Sequence, residues 1–355
     1  QKSIEYSTRL YNIHHSANRE IETADALRMI AENHYNTSSF VEAKEYYERA
    51  LDIYKKNQYF EGIATALSGQ ARIHSHWGEY DEALNKYQDA LRFWEEIGNK
   101  EGIASLYSGI GQIYEDLDSY ERAFEYFKKS LELYQELDNT REIVQLTLNI
   151  GDIYLLKKLY DKALEYYFKG DEIGKELNNK KLKATTLSNI GEAYNKKGDY
   201  IKALEYQRES LRLKEEIGDK KLLSITFTEF GLIYYNVEDH RKSLNYMQKG
   251  LDVATEINFR VQINKCNLYL TEIYEKTGNY RKALNAYREY INGREEVNSE
   301  EKQQMLAELQ AKYQVERKEK ENERLRHVDD LNSAQIRTQK LIIGFVLFIL
   351  LGSFV

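Results

Sequence analysis

Apolar residues recur along this chain at three- and four-residue spacings, the period of an amphipathic helix. The blocks that carry this spacing repeat every 40 residues. The stretch from Lys181 to Lys220 is the cleanest copy. Ala184, Leu187, Ile190, Gly191 and Tyr194 share one face of a first helix. Lys197-Gly198-Asp199 then reads as a stop and a start, since glycine accepts the left-handed cap conformation and aspartate is a good N-cap. A second helix carries Ala203, Leu204, Tyr206, Leu211 and Leu213 and closes at Gly218-Asp219. Whole columns follow the same period: Phe40, Tyr80, Tyr120, Tyr160, Tyr200, His240 and Tyr280; Gly111, Gly151, Gly191 and Gly231; Ala43, Ala83, Ala123, Ala163, Ala203, Ser243 and Ala283.

A fixed period of this length marks a solenoid, and neither helix of a unit can bury its face alone, so the units must stack. Small residues (Gly191, Ala203, Ser210) fall where helices approach closely, and large ones (Leu187, Tyr194, Leu204) fill the space between them. Residues 22–57, 62–97, 102–137, 142–178, 182–218, 222–257 and 262–297 read as seven helix pairs, an array over 22–298. Residues 1–18 align with a second helix alone, so the array begins mid-unit, which together with the absence of an initiator Met reads as a missing start. The first pair lacks the glycine-centred turn, and Ser38 or Ser39 is expected to cap the helix that follows.

The columns resemble the tetratricopeptide repeat family. The match is Ile190-Gly191 in the first helix, Tyr194, Ala203 in the second helix, an aromatic four residues on (Phe127, Tyr167, Tyr287, with Gln207 the exception), and a small residue after it (Ser130, Gly170, Ser210, Gly250). The period exceeds the usual length of about 34 residues, and the chain has no proline to end its second helices. The resemblance implies an all-α, right-handed superhelical solenoid whose first helices line a concave groove. Carried over by position, one row of that groove is Arg72, Gln112, Asp152, Glu192, Leu232 and Glu272, and a second is Glu115, Leu155, Asn195, Tyr235 and Glu275. Asn149 and Asn189 occupy a column that such proteins use to bond a peptide backbone; a helix-to-helix hydrogen bond is the structural alternative. The expected partner is a peptide or protein segment. The lysine-rich carboxylate clamp of the chaperone-tail variants does not fit this acidic and polar groove, which suggests a basic or neutral polar ligand.

Past Asn298 the pattern changes. Residues 299–340 read as a long charged helix, with Met305, Leu306, Leu309 and Tyr313 as a stripe that can cap the last pair. Leu331, Ala334, Thr338 and Leu341 form a short heptad seam that could pair two copies. Residues 341–355 carry no charge and read as the start of a transmembrane helix. This layout resembles the sensor regions of membrane-bound bacterial signalling proteins, notably sensor histidine kinases of the Bacteroidetes type. It implies a single-pass inner-membrane protein with a periplasmic array. Arg337 and Lys340 before the span favour a cytoplasmic array instead. Two alternatives stay open: a membrane-anchored scaffold without output, and a sensor coupled to a helix-turn-helix regulator.

Composition narrows the chemistry. The net charge of −7 disfavours nucleic acid as a partner. The single cysteine, Cys266, rules out an internal disulfide. Most of the 30 tyrosines fall at packing columns. The chain shows no catalytic constellation, P-loop or cofactor motif. Its seven histidines form no HExxH pair, and His74-Ser75-His76 directs its rings to different faces, so no metal is expected. Gly109-Ile110-Gly111 sits inside a helix and lacks a dinucleotide fingerprint. The reading is of a binding protein, not an enzyme.

Overall fold

The structure, a computed structural model, describes residues 2–37, 39–293, 318–319 and 321–327. From Lys2 to Asn292 the elements are fifteen α-helices and one short 3₁₀ turn. Helix α1 (Lys2–Ser16) packs on α2 (Glu20–Asn36). From α2 the helices pair as α2 with α3 (Phe40–Lys56), α4 (Phe60–His76) with α5 (Tyr80–Glu96), and α6 (Lys100–Asp116) with α7 (Tyr120–Glu136). Next come α8 (Thr140–Leu156) with α9 (Tyr160–Gly174), then the 3₁₀ turn Lys175–Leu177, α10 (Lys180–Lys197) and α11 (Tyr200–Ile217). The series closes with α12 (Lys220–Asn236) on α13 (His240–Glu256) and α14 (Arg260–Lys276) on α15 (Tyr280–Asn292). The chain divides into two compact units, one up to Leu213 and one from Lys214. Each is a tetratricopeptide-like stack of helix pairs.

From Glu20 to Tyr280 a helix begins every 20 residues, most of them 17 residues long. Among the described residues the turns between helices share one feature. Their middle residue is left-handed, whether glycine (Gly78, φ 76°; Gly198, φ 91°) or not (Lys158, φ 59°; Glu238, φ 60°). The next N–H then reaches back to close a Schellman turn, as in Glu79 N to His74 O (2.9 Å) and Leu159 N to Tyr154 O (2.8 Å). The left-handed residue costs the non-glycine positions strain, and the bonds it makes possible satisfy helix-end groups that would otherwise be orphaned. Where the residue before a helix is Asn or Asp, it often caps the helix: Asn99 accepts from Gly102 N (2.9 Å) and Asp239 from Lys242 N (3.1 Å). Ser39 stands at its N-cap position without a side-chain bond, and Ser38 lies outside the described residues.

The core follows from size complementarity. Ala43, Ala83, Ala123, Ala163, Ala203, Ser243 and Ala283 are all fully buried. A Cβ built on Gly111 would lie 2.6 Å from the Phe127 ring, and one on Gly151 2.5 Å from Tyr167. The same relation joins Gly231 to Met247 and Gly191 to Gln207. Gln207 keeps the register as a polar exception because Ser188 meets both ends of its amide: the Ser188 hydroxyl donates to Gln207 (3.2 Å) and Gln207 Nε2 donates to the Ser188 carbonyl (3.1 Å). Serines in the small column bond across helices, Ser130 to the Ala104 carbonyl and Ser210 to that of Ala184.

Tyrosines form a second repeated motif. In the first unit Tyr114 stacks on Tyr126 (5.5 Å), Tyr154 on Tyr166 (5.2 Å) and Tyr194 on Tyr206 (5.6 Å); in the second Tyr234 stacks on Tyr246 (5.5 Å). A cation lies over the first ring each time: Arg122, Lys162, Lys202 and Lys242. Exposed ion pairs such as Lys56–Glu20 (2.6 Å) and Lys157–Glu121 (2.5 Å) join each helix end to the start of another helix, and each contributes little on its own.

The expected single-pass inner-membrane placement, with the array periplasmic or cytoplasmic, needs correction. No helix among the described residues is long and apolar enough to cross a membrane. The described helices are 13 to 18 residues long and amphipathic, with charged outer faces, whereas a span needs about 20 mostly apolar residues. The expectations for the span at 341–355 and for the capping residues Met305, Leu306, Leu309 and Tyr313 lie outside the described residues. So does the heptad seam proposed to pair two copies through 299–340, of which only 318–319 and 321–327 are described, as exposed helix.

Gly151→Ala should destabilise the array by about 1–3 kcal/mol, because Tyr167 is fully buried and cannot yield. Gly191→Ala should cost less, since the neighbour there is the flexible Gln207 side chain. Thermal melting of the two variants checks the order; equal losses would mean that the facing side chain does not set the requirement for glycine.

Candidate functional site

In each unit the contacts that skip a helix run between first helices: α2 with α4, α4 with α6 and α8 with α10 in one, α12 with α14 in the other. Side chains on one face of these helices therefore stand side by side in rows where these contacts occur. In the first unit Arg72 (α4), Gln112 (α6), Asp152 (α8) and Glu192 (α10) occupy equivalent positions, with Glu32 on α2 one period earlier. A second-helix side chain lies behind this row, always 15 residues later in the chain. Tyr47 donates to Glu32 (2.6 Å) and Tyr167 donates to Asp152 (2.5 Å).

Asp152 is the centre of the acidic part. It accepts from Tyr167 and, at 3.4 Å, from Asn189 of α10. Burial pushes its carboxyl up to about 7 against the Tyr167 bond, with Glu115 and Glu192 adding repulsion. Burial, then Asp116, also pushes Glu115 up to about 7. Asn189 thus takes up the helix-to-helix bond that was the alternative to contacting a ligand. Asn149 is buried, with its amide oxygen accepting from Gln145 (2.9 Å). Asn195 is half-buried on the next turn of α10. In the second unit the Tyr235 hydroxyl donates to Glu272 (3.2 Å), and Lys276 lies 4.3 Å from the centre of the Tyr235 ring. The residues singled out from sequence therefore fall into two clusters. Asp152, Asn189 and Glu192 interact in the first unit and Tyr235 and Glu272 in the second, while Asn149 bonds Gln145 on its own helix.

Arg72 is the basic member of the first-unit row, between Glu32 and Gln112. Arg72 Nη1 bonds both oxygens of Glu32 (3.2 and 3.3 Å), and the guanidinium stacks 4.1 Å from the centre of the Tyr35 ring. Burial works against its charge, but Glu32, Tyr35 and Tyr47 outweigh burial and hold it above its ordinary value. Beside it opens a cavity of about 270 Å³ lined by Tyr35, Arg72, Tyr87, Ser105, Gln112 and Tyr134, among others. The sequence places Arg72 and Gln112 in the row and Phe127 in the aromatic column, but it does not single out Tyr87 behind Arg72. The signal that could have found it is the spacing of 15 between a row residue and its partner.

His74 and His76 have unrelated surroundings: His74 Nδ1 meets Glu79 Oε2 at 2.5 Å, and the His76 ring packs on Phe40. Cys266 is buried against Thr228, and burial pushes its thiol up, away from the reactive thiolate.

Raised carboxyls at Asp152 and Glu115 make the fold sensitive to pH. The folded chain holds these protons to about pH 7, while the unfolded chain releases them near ordinary carboxylate values. Their contribution to stability is thus full at low pH and is lost as pH rises through about 7. Asp152→Asn keeps an acceptor for Tyr167 but has nothing to titrate. Its melting temperature should fall less than that of the parent between about pH 5 and pH 8. The difference should be on the order of 1–2 kcal/mol, because Asp152 is only half-buried and water screens it. Identical pH profiles for the two proteins would refute the assignment.

The fold has many counterparts among solved structures. The apo form of RapI is 18% identical, with a TM-score of 0.60, over 76% of this chain and 97% of its own. The Rap conjugation gene regulator of the plasmid pLS20, in complex with the Phr* peptide, is 14% identical, with a TM-score of 0.61, over 80% and 79%. The apo form of the quorum sensor NprR from B. thuringiensis is 18% identical, with a TM-score of 0.52, over 88% and 96%. At these identities the likeness shows the fold alone. No curated protein sequence matches the chain. The tetratricopeptide repeat model matches residues 22–96, 62–136, 102–170 and 182–256, more than half of the sequence. With the alanine and glycine columns and the paired helices described above, this places the chain in the tetratricopeptide repeat family.

Proposed function

We propose that the array binds an extended peptide or an unstructured protein segment along its first-helix rows and performs no chemistry itself. The observation that carries this reading is the polar row Arg72, Gln112, Asp152 and Glu192, in which Glu32 orients Arg72 and Tyr167 orients Asp152. Such preorganised donors and acceptors suit a peptide backbone, since a ligand need not order them on binding. The pLS20 Rap structure holds a Phr* peptide and another Rap structure holds the Competence and Sporulation Factor, which supports a peptide as the ligand class here. NprR, a quorum sensor of the same fold, supports a signalling role. On this reading the array is the sensing part of a signal-transduction protein. A histidine kinase or a helix-turn-helix regulator as its output rests on resemblance alone.

Selection of random heptapeptides on the full chain tests the proposal. Enriched peptides should lose affinity by about fivefold on Asn189→Ala in the first unit or on Tyr235→Ala in the second, roughly one hydrogen bond each. Lys128→Ala, on the exposed outer face of α7, should change nothing. Peptides that respond to Lys128 and ignore both groove residues would place binding elsewhere.

A further inference from the structure

At two positions of the first-unit row a buried tyrosine stands behind a carboxylate, and the cavity beside Arg72 departs from that pattern. At Tyr47 and at Tyr167, the residue 15 positions earlier is a carboxylate, and the buried phenol donates to it. At Phe127 there is no hydroxyl, and the residue 15 positions earlier is the uncharged Gln112. Tyr87 has a hydroxyl, but the residue in the acceptor position is Arg72, a donor. Tyr87 is 4% exposed, and its hydroxyl makes no hydrogen bond among the described residues. It is held in place by Gly109, where a Cβ would collide with the phenol oxygen, and it lines the cavity together with Arg72. The Tyr87 hydroxyl and the Arg72 guanidinium therefore line one cavity, whose other polar lining is Ser68, Ser75, Ser105, Ser108, Gln112 and, from α8, Glu142. Both bonds from Arg72 to Glu32 use Nη1, which carries two of the five N–H groups of the guanidinium, and Tyr35 is a further hydrogen-bond partner.

We infer that this cavity is a subsite for one acidic side chain of the bound segment, its carboxylate lying between the Arg72 guanidinium and the Tyr87 hydroxyl. The inference rests on the peptide-binding reading and adds to it the charge and direction of the ligand. The ligand carboxylate supplies the acceptor that Glu32 and Asp152 supply to the equivalent tyrosines. A bond in which an ionised group takes part is the strong kind, and more so away from bulk water. The cavity volume, about 270 Å³, falls just below the range for whole small-molecule ligands and suits a single side chain. Glu142 lines the α8 side of the cavity beside Tyr134, so the carboxylate belongs on the α4 side. Asp152 and Glu192 in the same row and Glu115 in the second row repel an anion, as does Glu32 on the other side of Arg72. The segment consequently cannot slide or reverse without bringing its acidic residue against one of them.

The test uses the full chain and a random peptide library with amidated C-termini, so that any carboxylate comes from a side chain. Peptides that bind the first unit should carry Asp or Glu at one fixed position. Changing that residue to Asn or Gln should weaken binding at least tenfold. Tyr87→Phe should weaken the acidic peptide severalfold and leave the amide peptide unaffected. It should not lower the melting temperature, since the hydroxyl has no internal partner to lose. Arg72→Gln should abolish the preference for the acidic peptide. Groove-bound peptides without an acidic residue would overturn the subsite and leave the peptide-binding reading standing, as would an acidic peptide indifferent to Tyr87→Phe. Failure to enrich any peptide would overturn the peptide-binding reading and this inference with it.

Discussion

Everything in this molecule depends on one steric match between neighbouring helices. A small residue on a first helix faces a large one on the second helix of the same pair: Gly111 with Phe127, Gly151 with Tyr167, Gly191 with Gln207, Gly231 with Met247. The match sets how closely the two helices approach, and with it the position of every other side chain in the pair. The groove inherits this geometry directly. A row residue and the side chain behind it are held together because the adjacent small residue lets the second helix come near. Tyr167 illustrates both roles, since its ring packs on Gly151 while its hydroxyl bonds Asp152.

Much of the fold was legible in the sequence because it is written many times over. The alanine and glycine columns, the turn at Gly198-Asp199 and the two-helix unit all appear as agreement between copies. What escaped was conformation imposed by context rather than by residue type. Lys158 and Glu238 adopt the left-handed turn that Gly198 adopts freely, and nothing local in their identity announces it. Gln207 looked like an exception in an aromatic column, but Ser188 satisfies its amide and the packing is unchanged.

The groove was only half legible. Position in the repeat predicted which residues form the row, because the period fixes the face of the helix. It could not predict what each row residue touches. Asn189 turned out to bond Asp152, and Tyr235 to bond Glu272, so both groups enter any recognition event already engaged. A ligand must then replace these bonds or add to them, and its affinity reflects the difference. The pairing of Arg72 with Glu32 joins two residues one period apart, so it becomes visible only when the equivalent positions of adjacent first helices are known to be neighbours in space.

The uniform spacing of helix starts also bears on how such an array can change in length. Each helix and its turn occupy 20 residues, and first and second helices share both length and turn geometry. An insertion or deletion of one helix with its turn therefore joins cleanly at the backbone. Beyond that point, however, every helix exchanges its role, so that groove-lining faces become outer faces and the small-to-large matches are lost. A gain or loss of two helices preserves both the turn and the role. A gain of whole pairs thus adds one position to the first-helix row and leaves the small-to-large matches of the existing pairs in place.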